Sequence, residues 1–354
     1  MQVDVVVVGA GQAGLTAAYH LRRAGLEPGT GFVVLDDATR AGGAWQHRWE
    51  SLTMREAHGV HSLPGMPAPE AQDDAPAAEV IPAYFAAYED RYGLSVRRPV
   101  RVRSVTGAAE DLLEVRTDQG TWHARGLINA TGTWQRPFWP AYPGRETFRG
   151  RQLHTRDYRA AGDFAGESVV VVGGGTSAVQ LLLEIAPVAE TTWVTRREPQ
   201  FDEGDFDEET RRAAVARVAE RTAAGLPPQS VVAATGLPLT EAYRRGIETG
   251  VLRRLPMFER IVPDGVRWAA ADVPPAPEHQ RADTILWATG FRPGLDHLAP
   301  LRLRGPGGGI VLDGTEVVVD PRVQLVGYGP SASTIGANRA GRQAVRSLRL
   351  RLGF

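Results

Sequence analysis

One pattern occurs twice in this chain, 164 positions apart (9 to 173): an apolar run, a glycine-rich turn, and a helix-forming stretch. In the first copy Val3–Val8 leads into Gly9-Ala10-Gly11-Gln12-Ala13-Gly14. A helix is predicted over Leu15–Ala24, with Gly25 as its stop, and Phe32–Leu35 reads as a second strand ending on Asp36-Asp37. In the second copy Val169–Val172 leads into Gly173-Gly174-Gly175-Thr176-Ser177-Ala178, a helix over Val179–Ala186 and a strand over Thr191–Thr195. Near-continuous valine runs suit strands buried on both faces of a parallel sheet. Two copies so far apart are not a solenoid repeat. They predict an α/β fold with two Rossmann-like dinucleotide-binding domains.

Each glycine of the first copy has a physical reason. Gly9 permits a tight turn, Gly11 lets the backbone approach a pyrophosphate, and Gly14 lets the helix pack close to the strand. The helix N-terminus offers free N–H groups and the positive end of its dipole to phosphate. Asp36 lies 22 residues past Gly14, where a carboxylate accepts hydrogen bonds from the hydroxyls of an unphosphorylated ribose. The second copy keeps Gly173 and Gly175 but closes its strand on Thr195-Arg196-Arg197. An arginine pair attracts a 2′-phosphate that a carboxylate would repel. Opposite strand-end charge suggests two different dinucleotides, FAD at the first site and NADPH at the second. Thr176 and Ser177 join the second set as residues of the phosphate turn. The expected organisation is a split FAD-binding domain, 1–150 and 291–354, with an NADPH-binding domain, 151–290, inserted in it.

The remaining segments are less regular. Residues 40–82 read as a long irregular stretch, which in a compact domain is usually functional. Ala83–Tyr92 reads as a helix, and 97–125 as antiparallel strands with a hairpin near Asp118-Gln119-Gly120. Gly126–Gly132 reads as a returning strand that ends Ala130-Thr131-Gly132, and Ala288-Thr289-Gly290 repeats that ending. Residues 133–166 form a Pro- and Trp-rich connector. Asp207–Ala224 reads as a charged helix, Val323–Val326 as a strand, and a last helix starts near Gly336.

Composition removes several chemistries. The chain has no cysteine, so disulfides, thiolate metal sites, iron–sulfur clusters and every dithiol redox mechanism are excluded. All 40 basic residues are arginine, which excludes a lysine Schiff base. A net charge of −1 demands neither nucleic acid nor an anionic membrane. No apolar run reaches membrane-spanning length, and the start has no basic leader, so a cytoplasmic protein is expected. His58-x-x-His61 lacks a nearby third metal ligand, and Gly329-Pro330-Ser331-Ala332-Ser333 lacks the closing glycine of a nucleophile elbow. Arg342, Arg346 and Arg349 at helical spacing read as a solvated face.

Four further segments carry a resemblance: Phe148-x-Gly150-x-x-x-His154-x-x-x-Tyr158-Arg159 just before the second glycine turn, Gly42-Gly43-Ala44-Trp45, Trp287-Ala288-Thr289-Gly290-Phe291-Arg292-Pro293, and Gly327-Tyr328-Gly329. In these, and over nearly its whole length, the chain resembles the flavin-containing monooxygenases, in particular their short bacterial members. The larger Baeyer–Villiger enzymes have Trp and then Pro or Asp where this chain has Tyr158-Arg159. The resemblance implies that Gly43, Trp45, Gln46, Gln12, Thr131, Gly132 and Gly327 join the FAD site and that Thr289 and Gly290 close the NADPH domain. His154 is the one candidate near catalysis, through geometry at the domain junction.

What the resemblance implies is an NADPH-dependent flavoprotein monooxygenase. Reduced flavin and O2 would give a C4a-(hydro)peroxyflavin that oxygenates a small soft nucleophile, a sulfide or amine, or a ketone. The short members vary in nicotinamide preference, so NADH is the alternative reductant. Partners would then be a small-molecule substrate and O2, with no nucleic acid or membrane and a homodimer as the default assembly. Two other readings stay open: an NAD(P)H-dependent FAD reductase or oxidase without oxygen insertion, and a non-catalytic dinucleotide-binding module.

Overall fold

The computed structural model describes residues 1–57, 60–202, 208–228, 236–332 and 334–354, with backbone alone at 208–215, 334 and 335. It divides into two compact units. The first comprises Met1–Gln135, Ala213–Val231 and Pro293–Phe354; the second comprises Arg136–Arg212 and Val232–Arg292. The chain thus leaves the first unit at Gln135 and returns at Pro293, with 213–231 also in the first unit.

The first unit is built on a parallel sheet ordered β3 (Val96–Arg97), β2 (Phe32–Leu35), β1 (Gln2–Val8), β6 (Gly120–Asn129) and β19 (Asp320–Leu325). Val5, Val6 and Val7 are fully buried, which explains the uninterrupted apolar run in β1. The hairpin strands β4 (Val102–Gly107) and β5 (Leu113–Thr117) extend the sheet antiparallel from β6, with the turn at Thr117/Gly120. Two short strands, β17 (Leu312–Asp313) and β18 (Glu316–Val317), add antiparallel pairs beyond β19. Val105, Val115, Leu298 and Leu303 pack with Val6, Val33 and Leu35 into one core.

Helices α1 (Gln12–Arg23) and α6 (Thr334–Leu352) pack closely: a Cβ at Gly341 would lie 2.8 Å from the Thr16 Cγ2. Helix α2 (Ala77–Tyr92) begins six residues earlier than the sequence suggests and carries Pro82 inside it. Proline in a helix interior forfeits a hydrogen bond. Here tertiary packing overrides that cost, since Pro82 is buried and a Cβ at Gly42 would lie 2.7 Å from its Cβ. The other face of α2 clamps residues 63–66. Tyr84 Oη accepts the Leu63 N–H at 2.8 Å and donates to the Met66 carbonyl at 2.7 Å, and Tyr88 donates to the Pro64 carbonyl.

The second unit has a five-stranded parallel sheet ordered β12 (Arg254–Pro256), β9 (Glu190–Thr195), β8 (Ser168–Val172), β16 (Thr284–Trp287) and β7 (Arg151–His154). Helix α3 (Thr176–Ile185) links β8 to β9. An antiparallel meander of β13 (Arg260–Val262), β14 (Gly265–Arg267) and β15 (His279–Arg281) covers the sheet, with Ile261, Val266 and Trp268 against Val170, Val194 and Trp287. A short ribbon pairs β10 (Phe201–Asp202) with β11 (Leu237–Pro238); helices α4 (Glu208–Ala223) and α5 (Glu241–Glu248) complete the elements.

Strand β7 lies inside the stretch read from sequence as connector. Only Leu153 of its four residues is apolar and the strand sits at a sheet edge, so it lacks the apolar run that marks a buried parallel strand. Helices α1 and α3 both start earlier than predicted, at Gln12 and Thr176, because their first turns lack apolar periodicity. Among the described residues no helix is long and apolar enough to cross a membrane.

Candidate dinucleotide sites

In the first unit the glycines at the end of β1 divide into two kinds. Gly9 has φ of +98°, its N–H donates to the Leu35 carbonyl at 2.7 Å, and a Cβ would lie 2.5 Å from the Ala130 carbonyl oxygen. A Cβ at Gly14 would overlap the Gly9 carbonyl oxygen. The protein's own packing therefore demands these two. Gly11 is different: its Cβ would meet only the Gly43 Cα, at 3.9 Å. That leaves open space at the N-terminus of α1, which has neither a side-chain cap nor an acidic residue in its first turn. An uncapped helix start beside free space fits a pyrophosphate.

The turn Gly43–His47 lies over this cradle. Gly43 has φ of +53°, and a Cβ there would come within 2.9 Å of the Gly11 Cα. Trp45 follows. Two expected contact residues are held by internal bonds: Gln46 donates to the Gly43 carbonyl at 2.9 Å, and Gln12 donates to Asn338 Oδ1 at 2.8 Å and to the His61 carbonyl at 3.3 Å. Gly327, with φ of +70°, stands beside the first turn of α1, 3.9 Å from the Ala13 Cβ were it to carry a Cβ.

Asp36 sits buried at the end of β2. Its Oδ2 accepts Arg98 Nε at 2.9 Å, and both Arg98 Nη atoms donate to Glu89 at 2.6 and 2.7 Å. Burial opposes the Arg98 charge, but Glu89 and then Asp36 outweigh it and hold the guanidinium pKa above its usual value. Asp36 keeps Oδ1 beside the Ala38 N–H at 3.5 Å, so acceptor capacity remains for a ribose hydroxyl.

Thr131 and Gly132 end the return from β6. Thr131 donates to the Gly294 carbonyl at 2.7 Å and accepts from Asn129 Nδ2 at 3.1 Å. Asn129 Oδ1 in turn accepts from His297 Nε2 at 2.7 Å. Burial lowers the His297 pKa to about 4, so this imidazole is neutral at pH 7. The network pins residues 294–297 against the strand end.

The second unit repeats the logic. A Cβ at Gly173 would overlap the Ala288 carbonyl oxygen, while Gly175, at the start of α3, has nothing within 4 Å. Thr176 and Ser177 form the first helical turn and Ala178 is fully buried beneath it. At the end of β9, Thr195 Oγ1 donates to the Arg197 carbonyl at 2.6 Å and accepts Arg254 Nε at 3.0 Å. Arg196 and Arg197 are exposed and make no ion pair among the described residues.

His154 is fully buried in this unit. Its Nδ1 accepts the Arg156 N–H at 3.1 Å, so Nε2 carries the proton and donates to the Gly290 carbonyl at 3.0 Å. Burial depresses its pKa. Both nitrogens are taken by backbone partners, so the ring straps the ends of β7 and β16 together. Thr289 Oγ1 donates to the Phe138 carbonyl at 2.5 Å on the same strand end. The segment from Phe148 to Arg159 is a packing unit: Gly150 has no room for a Cβ against the Asp283 carbonyl, and Tyr158 stacks on Phe164.

Arg98, Glu89, Arg254, Asn129 and His297 were not foreseen. The pairs Asp36–Arg98, Thr195–Arg254 and Asn129–His297 join residues 62, 59 and 168 positions apart, and no local pattern marks them. His58 and Ser333 lie outside the described residues. Among those described, no cluster of three or more His, Cys, Asp or Glu residues could hold a metal ion.

The model of the pyridine nucleotide-disulphide oxidoreductase family matches residues 6–226. A solved flavin-containing monooxygenase from Stenotrophomonas maltophilia is 38% identical over 99% of both chains, with a TM-score of 0.83. An uncharacterized oxidoreductase of Bacillus velezensis is 28% identical over 198 residues, 56% of each chain. An indole-3-pyruvate monooxygenase of Oryza sativa is 34% identical over 183 residues, 51% of this chain and 44% of that one. The chain spans about half the length of the curated relatives it matches.

Proposed function

This chain belongs to the pyridine nucleotide-disulphide oxidoreductase family, and we propose that it is a flavin-containing monooxygenase using FAD and NADPH. The observation that carries the reading is a pair of unlike cradles in a chain with no cysteine. One cradle ends on Asp36 and the other on Arg196-Arg197. Relatives that pass electrons through a dithiol need a cysteine pair, so electrons entering from a nicotinamide must leave by another route. The full-length likeness to a flavin-containing monooxygenase supports O2 as that route.

When bound, FAD supplies hydride acceptance and O2 activation. In sum, NADPH, a proton, O2 and the substrate give NADP⁺, water and the oxygenated substrate. The chain's own residues bind and orient. The α1 N-terminus at Gly11 receives the FAD pyrophosphate, and Asp36 accepts from its ribose. The α3 N-terminus at Gly175 receives the NADPH pyrophosphate, and Arg196 and Arg197 hold its 2′-phosphate. His154 keeps the Gly290 turn in place. The substrate is a soft nucleophile, a sulfide or amine; the relative named for indole-3-pyruvate argues for testing ketones as well.

The test is anaerobic reduction of the FAD-loaded protein by NADPH, then rapid mixing with O2. A monooxygenase delays the return of oxidised-flavin absorbance and releases little peroxide until substrate is added. Immediate reoxidation with stoichiometric peroxide would refute oxygen insertion and favour a reductase or oxidase.

A further inference from the structure

Three partly buried arginines among the described residues come with polar partners. Arg98 holds two carboxylates, Arg322 holds Asp320 and Asp111, and Arg254 donates to Thr195. Arg48 is held differently. Its guanidinium carbon lies 5.7 Å from the ring centre of Trp45 and 5.1 Å from that of Trp134. Its Nε is buried with no hydrogen-bond partner, and it makes no ion pair among the described residues. The residue as a whole remains partly accessible. Two indole faces stabilise a cation but satisfy none of its N–H donors. Burial lowers the Arg48 pKa below its usual value.

We propose that Trp45, Arg48 and Trp134 form a subsite for the carboxylate of an aromatic acid, and that the enzyme's substrates carry that group. The inference rests on the monooxygenase reading and names a substrate class for it. The guanidinium fork matches a carboxylate in two parallel hydrogen bonds, and the flanking indoles suit an aromatic ring. The subsite belongs to the cradle region. Arg48 closes the turn whose Gly43 rests on Gly11, and Trp134 follows Thr131, whose Cα would lie 3.2 Å from a Cβ on Gly9. His47 lies parallel to Trp134 with ring centres 5.6 Å apart, extending the aromatic wall.

The test is a binding titration of the oxidised, FAD-loaded full chain with phenylacetate and with its neutral isostere phenylacetamide, followed by tryptophan fluorescence and the flavin spectrum. Phenylacetate should bind at least about tenfold tighter than the amide, as expected for hydrogen bonds to a charged group. Arg48→Met, which keeps the stacked stem, should bring the two dissociation constants together while FAD content stays unchanged. Arg48→Lys should retain a weaker preference, and it covers the case in which the Met variant does not fold. Equal binding of acid and amide by the wild type, or no binding of either at millimolar concentration, would overturn the proposal. So would loss of FAD from Arg48→Met, which would assign the guanidinium to a flavin phosphate. The titration needs neither NADPH nor O2. A retained acid preference without oxygenation would therefore refute the functional reading and leave the subsite standing.

Discussion

The Asp36 carboxylate accepts Arg98 Nε at 2.9 Å while the other edge of the same guanidinium grips Glu89. All three side chains are nearly buried, at 9%, 12% and 12% exposure, so removing the cation strands two carboxylates out of water. Arg98→Met should cost about 3 kcal/mol of stability, the scale for breaking a buried pair from one side. Urea denaturation of the flavin-free protein measures it, and a loss under 1 kcal/mol would show the triad to be unimportant for the fold.

The two kinds of cradle glycine predict a split phenotype. Gly11→Ala and Gly175→Ala introduce a methyl into free space and should lower apo-protein stability by only about 1 kcal/mol, as for an alanine at a helix N-cap. Each should weaken dinucleotide binding at its own site more than tenfold. Gly14→Ala should instead destabilise the apo-protein severely, since its Cβ would overlap the Gly9 carbonyl. Calorimetry with and without FAD separates the two; equal destabilisation by Gly11→Ala and Gly14→Ala would contradict the assignment.

Arg196→Ala combined with Arg197→Ala should raise the KM for NADPH by about ten- to a hundredfold, from the loss of about 1.5–3 kcal/mol of charge-assisted hydrogen bonding. The KM for NADH should move little. Steady-state kinetics with both reductants decides, and equal effects would remove the 2′-phosphate from this strand end.

The buried His297 makes stability depend on pH. Its pKa is about 4 in the folded protein against 6.5 in the open chain, so the unfolded state binds the extra proton. Its contribution is complete above pH 6.5 and is lost as pH falls toward 4. His297→Gln should cost stability at pH 7 yet lose about 2 kcal/mol less than wild type between pH 7 and pH 5. Denaturation midpoints at the two pH values give the comparison, and parallel losses would show that His297 titrates normally.

The parallel strands and both glycine turns were legible because each leaves a local mark. Val3–Val8 is apolar at every position but Asp4 since both faces are covered, and Gly9 and Gly173 stand where φ is positive. Strand β7 left no such mark, its four residues being too few and too polar. Helix α2 was cut short at Pro82 because the partner that stabilises this proline, Gly42, lies 40 residues away in the chain. Within the candidate sites, the strand-end charges could be read, but the carboxylates around Arg98 and the indoles around Arg48 meet only in three dimensions. The glutamines at 12 and 46 sit in recognisable turns, yet their amides serve those turns and their neighbours.

The open space beside Gly11 and Gly175 has a consequence over generations. A descendant that kept the fold but abandoned the reaction would be under no pressure to preserve those two positions, whereas Gly9, Gly14 and Gly173 would still be enforced by the backbone. Drift should therefore reach 11 and 175 first. A copy of this chain with those two replaced and the other three intact would be recognisable, from five residues, as a relic scaffold.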